Sequence, residues 1–416
     1  MPWLRRLAID IRPLRSSQFR LLWSGSVVSA MGSQFARVGL YVQVFALTGS
    51  AAAVGLLGLS GLAGSLAGVF VGSAFIDRYD RRTTLIWTQV ASIGVAGTLF
   101  FGALSGHPPL WLLHAANLGS WFLAAIHGPA RQAAIARLLP PEEIPAAAAL
   151  NQAGWQVGSI VGPALAGLLI AAAGTAWAYG VDCLSYGFSL AVALLLAPIP
   201  LGDEVVERGM SAVGEGLRYL RNHRLLQSTF VIDLVAMIFG SPQALYPVIA
   251  VVQLHRGPEV VGLLFAAPAA GALAMTLASG SVTNLERQGE AIVWAVIAWG
   301  VAIAGFGLSG THLALALVFL AAAGAADVVS AIFRSTILQV TVPDRLRGRL
   351  SAVFFVVVTG GPKLGDIESG LVAAAFGATT SVISGGIATI VGALFVARIY
   401  PELTSYRGPS LEERAS

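Results

Sequence analysis

Apolar stretches of about 20 residues or more recur along the whole chain, separated by short turns rich in glycine, proline and charge. Each is long enough to cross roughly 30 Å of hydrocarbon as a helix. The pattern predicts helix 1 over Phe19 to Leu47, helix 2 over Ala52 to Ile76, and helix 3 over Thr83 to Leu104. Helix 4 follows over Leu110 to about Arg137, helix 5 over Pro145 to Ala173, and helix 6 over Ala176 to Pro198. Helix 7 is expected over Ser228 to Leu254, helix 8 over Glu259 to Val282, and helix 9 over Ala291 to Leu308. Helix 10 covers His312 to Val340, helix 11 Leu350 to Phe376, and helix 12 Ser381 to Ile399. Between helices 6 and 7 the chain turns polar. There Val213, Leu217, Leu220 and Arg224 fall near one another on a helix, which reads as an amphipathic helix on the membrane surface. The expected fold is an all-α polytopic membrane protein of twelve transmembrane helices in two pseudo-symmetric bundles. Residues 1–199 would form the first bundle, 200–227 a linker, and 228–416 the second bundle with its tail.

A repeat supports the division into halves. Shifted by 203 positions, Arg131 to Gly167 lies on Arg334 to Gly370, with Arg131 over Arg334 and Pro140 over Pro343. Gly158, Gly162 and Gly167 fall over Gly361, Gly365 and Gly370. The matches land on residues that set backbone geometry or carry charge, as expected of two similar bundles of membrane helices in one chain.

Composition agrees: 56% of residues are hydrophobic and only 11% charged, far below the roughly one quarter of a soluble domain. The lone Cys183 excludes an intrachain disulfide and a cysteine metal cluster. The basic N-terminus precedes an apolar segment too long for a signal peptide, so helix 1 reads as retained. The net charge of +4 does not indicate nucleic acid, because the arginines cluster at alternate turns. They gather at Arg5 to Arg20, Arg78 to Arg82, Arg208 to Arg224, Arg345 to Arg349 and the C-terminal end, while the opposite turns carry only Arg256. By the positive-inside rule both termini lie in the cytoplasm. Twelve spans, a central linker and cytoplasmic ends resemble the major facilitator superfamily. That resemblance implies two halves rocking about a binding site near the midplane of the cytoplasmic (inner) membrane.

Two short motifs extend the resemblance. Gly72-Ser-Ala-Phe-Ile-Asp77-Arg78-Tyr-Asp80-Arg81-Arg82 resembles the superfamily's loop between helices 2 and 3, with Ser73 and Asp80 in place of two glycines. A carboxylate at a helix end facing arginines can form a cluster that breaks when helices part. Asp77, Arg78, Arg81 and Arg82 are therefore expected to act as a conformational latch; a purely topogenic basic turn is the plainer reading. In helix 5, Gly154, Gly158, Gly162 and Ala166 recur every four residues and Pro163 interrupts the ladder, so a neighbouring helix can approach closely. The run Gly158 to Gly167 resembles the superfamily's exporter motif with Ala166 for one glycine, which implies antiport; tight packing alone also accounts for it.

Charges at membrane depth supply the candidate chemistry. Helix 11 carries Lys363, the only lysine, with Asp366 and Glu368, and Asp366 stands opposite Pro163 in the repeat. Each isolated charge at a helix centre costs about 2.5 to 3.5 kcal/mol, so these imply a watery cavity or mutual pairing. Asp233 in helix 7 and Asp327 in helix 10 complete the proton-coupling candidates, with Asp366 and Glu368. A carboxylate held away from bulk water takes up a proton more readily, which is what proton-coupled export needs. Arg334, seven residues beyond Asp327, lies on roughly the same face, so a structural ion pair is the competing reading. Snorkelling to the headgroups accounts for Arg131 and Arg334 themselves. The superfamily's cavity-lining helices would put Arg37 on the substrate path, and Trp121, Trp155, Tyr246 and Phe333 could offer aromatic faces. His107, His114 and His127 make no metal site by spacing, no cofactor is implied, and without a Walker loop the chain has no ATPase of its own.

Several segments narrow the resemblance. Asp77 to Arg82, Trp177 to Gly180, Leu245 to Ala250, Val342 to Arg349 and Gly365-Asp366 are similar to the exporter group that includes enterobactin and macrolide exporters. The resemblance implies a single-chain, proton-driven exporter of a siderophore or drug-like amphipathic molecule. An importer of a small nutrient, or a membrane sensor that moves nothing, are the alternatives; no nucleophile, base and orienting group stand at enzyme-like spacing.

Overall fold

The structure, a computed structural model, describes residues 10–78, 80–199, 210–281 and 285–408. Among these it contains twelve long helical stretches and no strand. Helices 1 to 6 are Ser17–Thr48, Ala51–Arg78, Arg81–Leu104, Leu110–Leu138, Ile144–Ala173 and Thr175–Leu195. The linker helix is Met210–Arg221. Helix 7 starts at Arg224; helices 8 to 12 are Pro258–Leu277, Gln288–Leu308, Leu313–Thr341, Asp344–Phe376 and Ala378–Ile399. Nine of the described stretches are long and apolar enough to cross a membrane by length and composition. Helices 1, 4 and 11, at 32, 29 and 33 residues, are long enough but carry more polar and charged groups.

Helix 7 departs from the single span expected over Ser228 to Leu254. It stops at Phe239 and resumes through a 3-10 turn at Gln243–Leu245, a short α segment at Tyr246–Val248 and a π turn at Ile249–Gln253. Pro242 is the cause: it has no N–H to donate and drives the preceding residue away from helical geometry.

The chain forms two compact units. One comprises Met1–Gln43 and Ala63–Val206, the other Val44–Leu62 and Glu207–Ser416. The expected halves are thus crossed by one segment, Val44–Leu62, which groups with the second unit. Its helix 2 glycines explain this. A Cβ on Gly55 would lie 2.5 Å from the Asp366 carbonyl and 3.0 Å from Gly370 Cα, so helices 2 and 11 meet backbone to backbone.

In the first unit, Phe19, Leu22, Leu85, Ile126, Ala134, Leu150, Leu196 and Ile199 bring helices 1, 3, 4 and 5 and the end of helix 6 into one apolar cluster. The loop between helices 2 and 3 is fastened to that end. Arg82 donates from Nε to the Ala193 carbonyl (3.3 Å) and from Nη2 to the Leu194 carbonyl (2.7 Å), neutralising terminal carbonyls of helix 6. Asp80 Oδ1 accepts the Ile199 N–H at 3.0 Å, a bond the glycine it replaces could not make. Just before helix 1, hydrogen bonding from the Arg12 side chain holds the Asp10 carboxyl below its usual value. In the second unit Arg224 plays a similar fastening part, pairing with Glu402 at 2.7 Å and donating to the Ile399 carbonyl.

The small-residue stripe of helix 5 faces helix 1. A Cβ on Gly162 would sit 2.8 Å from Gln34 Cβ and 3.2 Å from the Met31 carbonyl, whereas one on Gly158 would find nothing nearer than 3.8 Å. Gly162→Ala is therefore expected to lower the thermal unfolding midpoint in detergent, overpacking costing about 1–3 kcal/mol. Gly158→Ala should hold or raise it, since alanine favours a helix by about 1 kcal/mol over glycine. Equal midpoints for the two variants would contradict the close approach at Gly162.

Candidate functional site

The second unit brings three charged side chains together, two of them buried. Asp233, in the middle of helix 7, is 1% exposed, and Arg334, two turns from the end of helix 10, is 4% exposed. The two are in direct contact as an ion pair. Asp327, two turns earlier on helix 10, lies 3.7 Å from Arg334 Nη2 and keeps 36% of its side chain exposed. The seven-residue spacing of Asp327 and Arg334 sets both on one helical face, so one guanidinium serves two carboxylates. With both carboxyls ionised the group carries one negative charge in excess. Arg334 does not snorkel, contrary to the sequence expectation: burial forces it to find a partner inside, and helix 7 supplies one. Its repeat equivalent differs. Arg131 is half-buried and donates to a neutral amide, Asn151 Oδ1, at 3.1 Å, and the repeat offset places Ala124 opposite Asp327.

Asp366 does a different job from the two helix 7 and helix 10 carboxylates. It is 3% exposed, and its Oδ1 accepts the Ala244 N–H at 3.0 Å, just past the break in helix 7. A carboxylate there satisfies a donor freed by Pro242 and faces the positive end of the resumed helix. Lys363, one turn earlier, directs Nζ to the Thr359 carbonyl at 3.2 Å, and Glu368 is half-buried two residues on. Asp366 thus serves the helix 7 backbone just past its break.

The remaining candidates are dispersed. Tyr246 is 2% exposed, packed edge-on against Phe265 and Phe306 at ring distances of 4.9 and 6.1 Å, and Phe333 is 1% exposed. Both fill packing space. Trp155 lies on an outward face of helix 5, 52% exposed, while Trp121 and Arg37 are half-buried. Within the expected latch, the side chains of Asp77 and Arg78 lie outside the described residues. Arg82 is engaged by helix 6, as described above, and Arg81 donates its backbone N–H to the Ile199 carbonyl at 3.3 Å. Gly154 packs on Val27 of helix 1, and Pro163 and Gly167 are buried in the same stripe as Gly162.

Residues 8–408 match the family described as transmembrane secretion effector. The chain is a member of the major facilitator superfamily. Among curated relatives of this transporter, it is 26% identical over 393 residues to an enterobactin exporter EntS of Citrobacter koseri, covering 94% of each chain. To the enterobactin exporter EntS of Shigella boydii serotype 18 it is 27% identical over 391 residues, covering 94% of this chain and 93% of that one. Its fold is that of a bacterial homologue of the human lysosomal transporter Spinster, with TM-score 0.72 and 16% identity over 95% of this chain and 99% of the other. The nucleoside transporter NupG gives TM-score 0.72 at 16% identity, over 92% and 99%.

In this major facilitator chain the ion group is the feature that sequence reading assembled only in part. Asp233 and Asp327 were singled out by depth, but Arg334 was assigned to the membrane surface because it stands near a helix end. Its spacing from Asp327 was the signal that joined them. The pairing predicts unequal effects on stability. Asp233→Asn leaves Arg334 buried without its charged partner and is expected to cost about 3–5 kcal/mol in unfolding of the purified protein. Asp327→Asn removes a partly exposed charge and should cost under about 1 kcal/mol. Equal losses would contradict the division of roles.

Proposed function

We propose that this transporter exports an enterobactin-class siderophore, or a similar drug-like amphipathic molecule, in exchange for protons. It would work by alternating access, as a single chain in the inner membrane with both termini in the cytoplasm. The observation that supports the coupling is that one buried guanidinium, Arg334, meets two carboxyls, the buried Asp233 and the partly exposed Asp327. A proton taken up there leaves a neutral group, and its release restores a net charge that low-dielectric surroundings disfavour. Because the partners stand on helices 7 and 10, the preferred packing of those helices depends on whether the proton is bound. That dependence is the differential interaction any conformational switch requires. Asp327, the more accessible carboxylate, is the proton site in this reading, and Asp233 is the fixed partner of Arg334.

Export and cargo class are supported by similarity to the enterobactin exporters along almost the whole chain, and by the helix 5 glycine stripe. Asp366 enters as a positioning residue that holds the break in helix 7, close to Glu368 but separate from the ion group. Everted membrane vesicles test the assignment. With an imposed proton gradient, Asp327→Asn is expected to reduce enterobactin accumulation by about tenfold or more, within the usual range of a coupling free energy. Gradient-driven accumulation at the wild-type level in both Asp327→Asn and Asp366→Asn would sink it.

A further inference from the structure

The first unit holds a buried carboxylate that none of the foregoing uses. Asp182, on helix 6, is 4% exposed, and its Oδ1 has no hydrogen-bond partner among the described residues. Helix 1 crosses directly over it: a Cβ on Gly32 would collide with Ser185 and lie 3.4 Å from Asp182 Cα. A cationic side chain has no room to enter between the helices there.

Nor do the described residues of helices 1, 3 and 5 bring a cation to it. Helix 3 from Thr83 to Leu104 and helix 5 from Ile144 to Ala173 contain no titratable residue. Arg81 and Arg82 stand at the far end of helix 3, about three turns from the Asp182 level, with Arg82 bound to helix 6 carbonyls. On helix 1, the residues toward helix 6 are Gly25, Gly32 and Gly39, which meet Ser189, Ser185 and Tyr179. Arg37, five residues beyond Gly32, is turned about 140° from that face, and Arg20 lies more than three turns away toward the other end. Tyr41 lies on helix 1 beyond Arg37, and helix 6 itself adds only Tyr179, Cys183 and Tyr186, none of which carries positive charge. None of these described residues stands as a counter-charge to the unpartnered Oδ1, and a bound proton is small enough for the space.

Asp182 also sits in a file of polar groups. Tyr179 donates to Gln43 Oε1 at 2.7 Å on one side of it. On the other side come Ser185, one turn along, and then Ser189, which accepts from Gln89 Nε2 at 2.8 Å. Beyond Ser189 a cavity of about 10 Å³ is lined by Ser26, Gln89, His127 and Ser189, with Leu22 and Val192. That is about the space of one water, which the polar groups can bond. His127 Nδ1 in turn lies 3.0 Å from Thr88 Oγ1. From Tyr179 to Ser189 the file runs about 15 Å along helix 6, almost half the apolar thickness.

We propose that Asp182 is a proton-binding carboxyl of the first unit, neutral while helix 6 is packed on helix 1, and that it exchanges its proton along the Ser185 and Ser189 hydroxyls to the water-sized cavity, with Gln89 holding the Ser189 hydroxyl in place. It is a proton site separate from the Asp233–Arg334–Asp327 group. The proposal rests on the proton-exchange reading for its use in transport, but its protonation can be read without transport.

Infrared difference spectroscopy of the purified full-length protein in lipid nanodiscs provides that reading. At neutral pH the wild type is expected to show a protonated-carboxyl C=O band that shifts in D2O. Asp182→Asn, a close isostere of the neutral acid, should lose the band while Asp327→Asn keeps it. Asp182→Ser, smaller and also uncharged, is a second variant in case the first does not fold. Gln89→Leu should retain the band and slow its D2O shift several-fold. A band unchanged in both Asp182 variants would overturn the proton site, and an unslowed shift in Gln89→Leu would overturn the route. Since Asp327→Asn tests the other group in vesicles, failure of that reading and failure of this one give different results.

Discussion

A guanidinium that cannot reach water dictates much of the second unit. Arg334 is 4% exposed on a helix of otherwise apolar character, and an unpaired charge there would cost several kcal/mol. Asp233 must face it from helix 7, and Asp327 adds a second, partly exposed carboxylate on the same face of helix 10. Two acids on one base make the group sensitive to a single proton. In the proposed reading, the pairing that satisfies stability and the charge that responds to protons come from the same three side chains.

Backbone polar groups obey the same rule as charges. Pro242 breaks helix 7, and the Ala244 N–H released there is taken up by Asp366 from helix 11. Asp366 is in turn placed by the backbone contact of helix 11 with Gly55 and Gly58 of helix 2; a Cβ on Gly58 would lie 2.9 Å from Asp366 Cβ. In the first unit Arg82 and Asp80 satisfy the end of helix 6 in the same manner. These polar residues each answer a specific unsatisfied group, whereas Asp182 Oδ1 has no partner among the described residues.

The spans and the helix 5 stripe were legible because long apolar runs and four-residue glycine spacing have one dominant physical meaning each. The repeat was legible too, and so was its asymmetry at Pro163 and Asp366. The contact that Asp366 makes was not: a local pattern does not reveal which distant N–H a carboxylate will meet. Arg334 was misplaced for the opposite reason: position near a helix end predicts snorkelling, and only the arrival of Asp233, some 100 residues earlier in the chain, changes that. The break in helix 7 was written in Ser241-Pro242, but the apolar run continues through it and hides the interruption.

In the proposed cycle, cargo and protons move in opposite directions, with the Asp233–Arg334–Asp327 group taking up the proton. Proteoliposomes containing the purified protein and a pH-reporting dye measure it directly, with enterobactin presented on one side in weak buffer. The account predicts that enterobactin movement is accompanied by proton movement the other way, with Asp327→Asn abolishing the proton signal. Enterobactin crossing at the wild-type rate with no proton movement would contradict it.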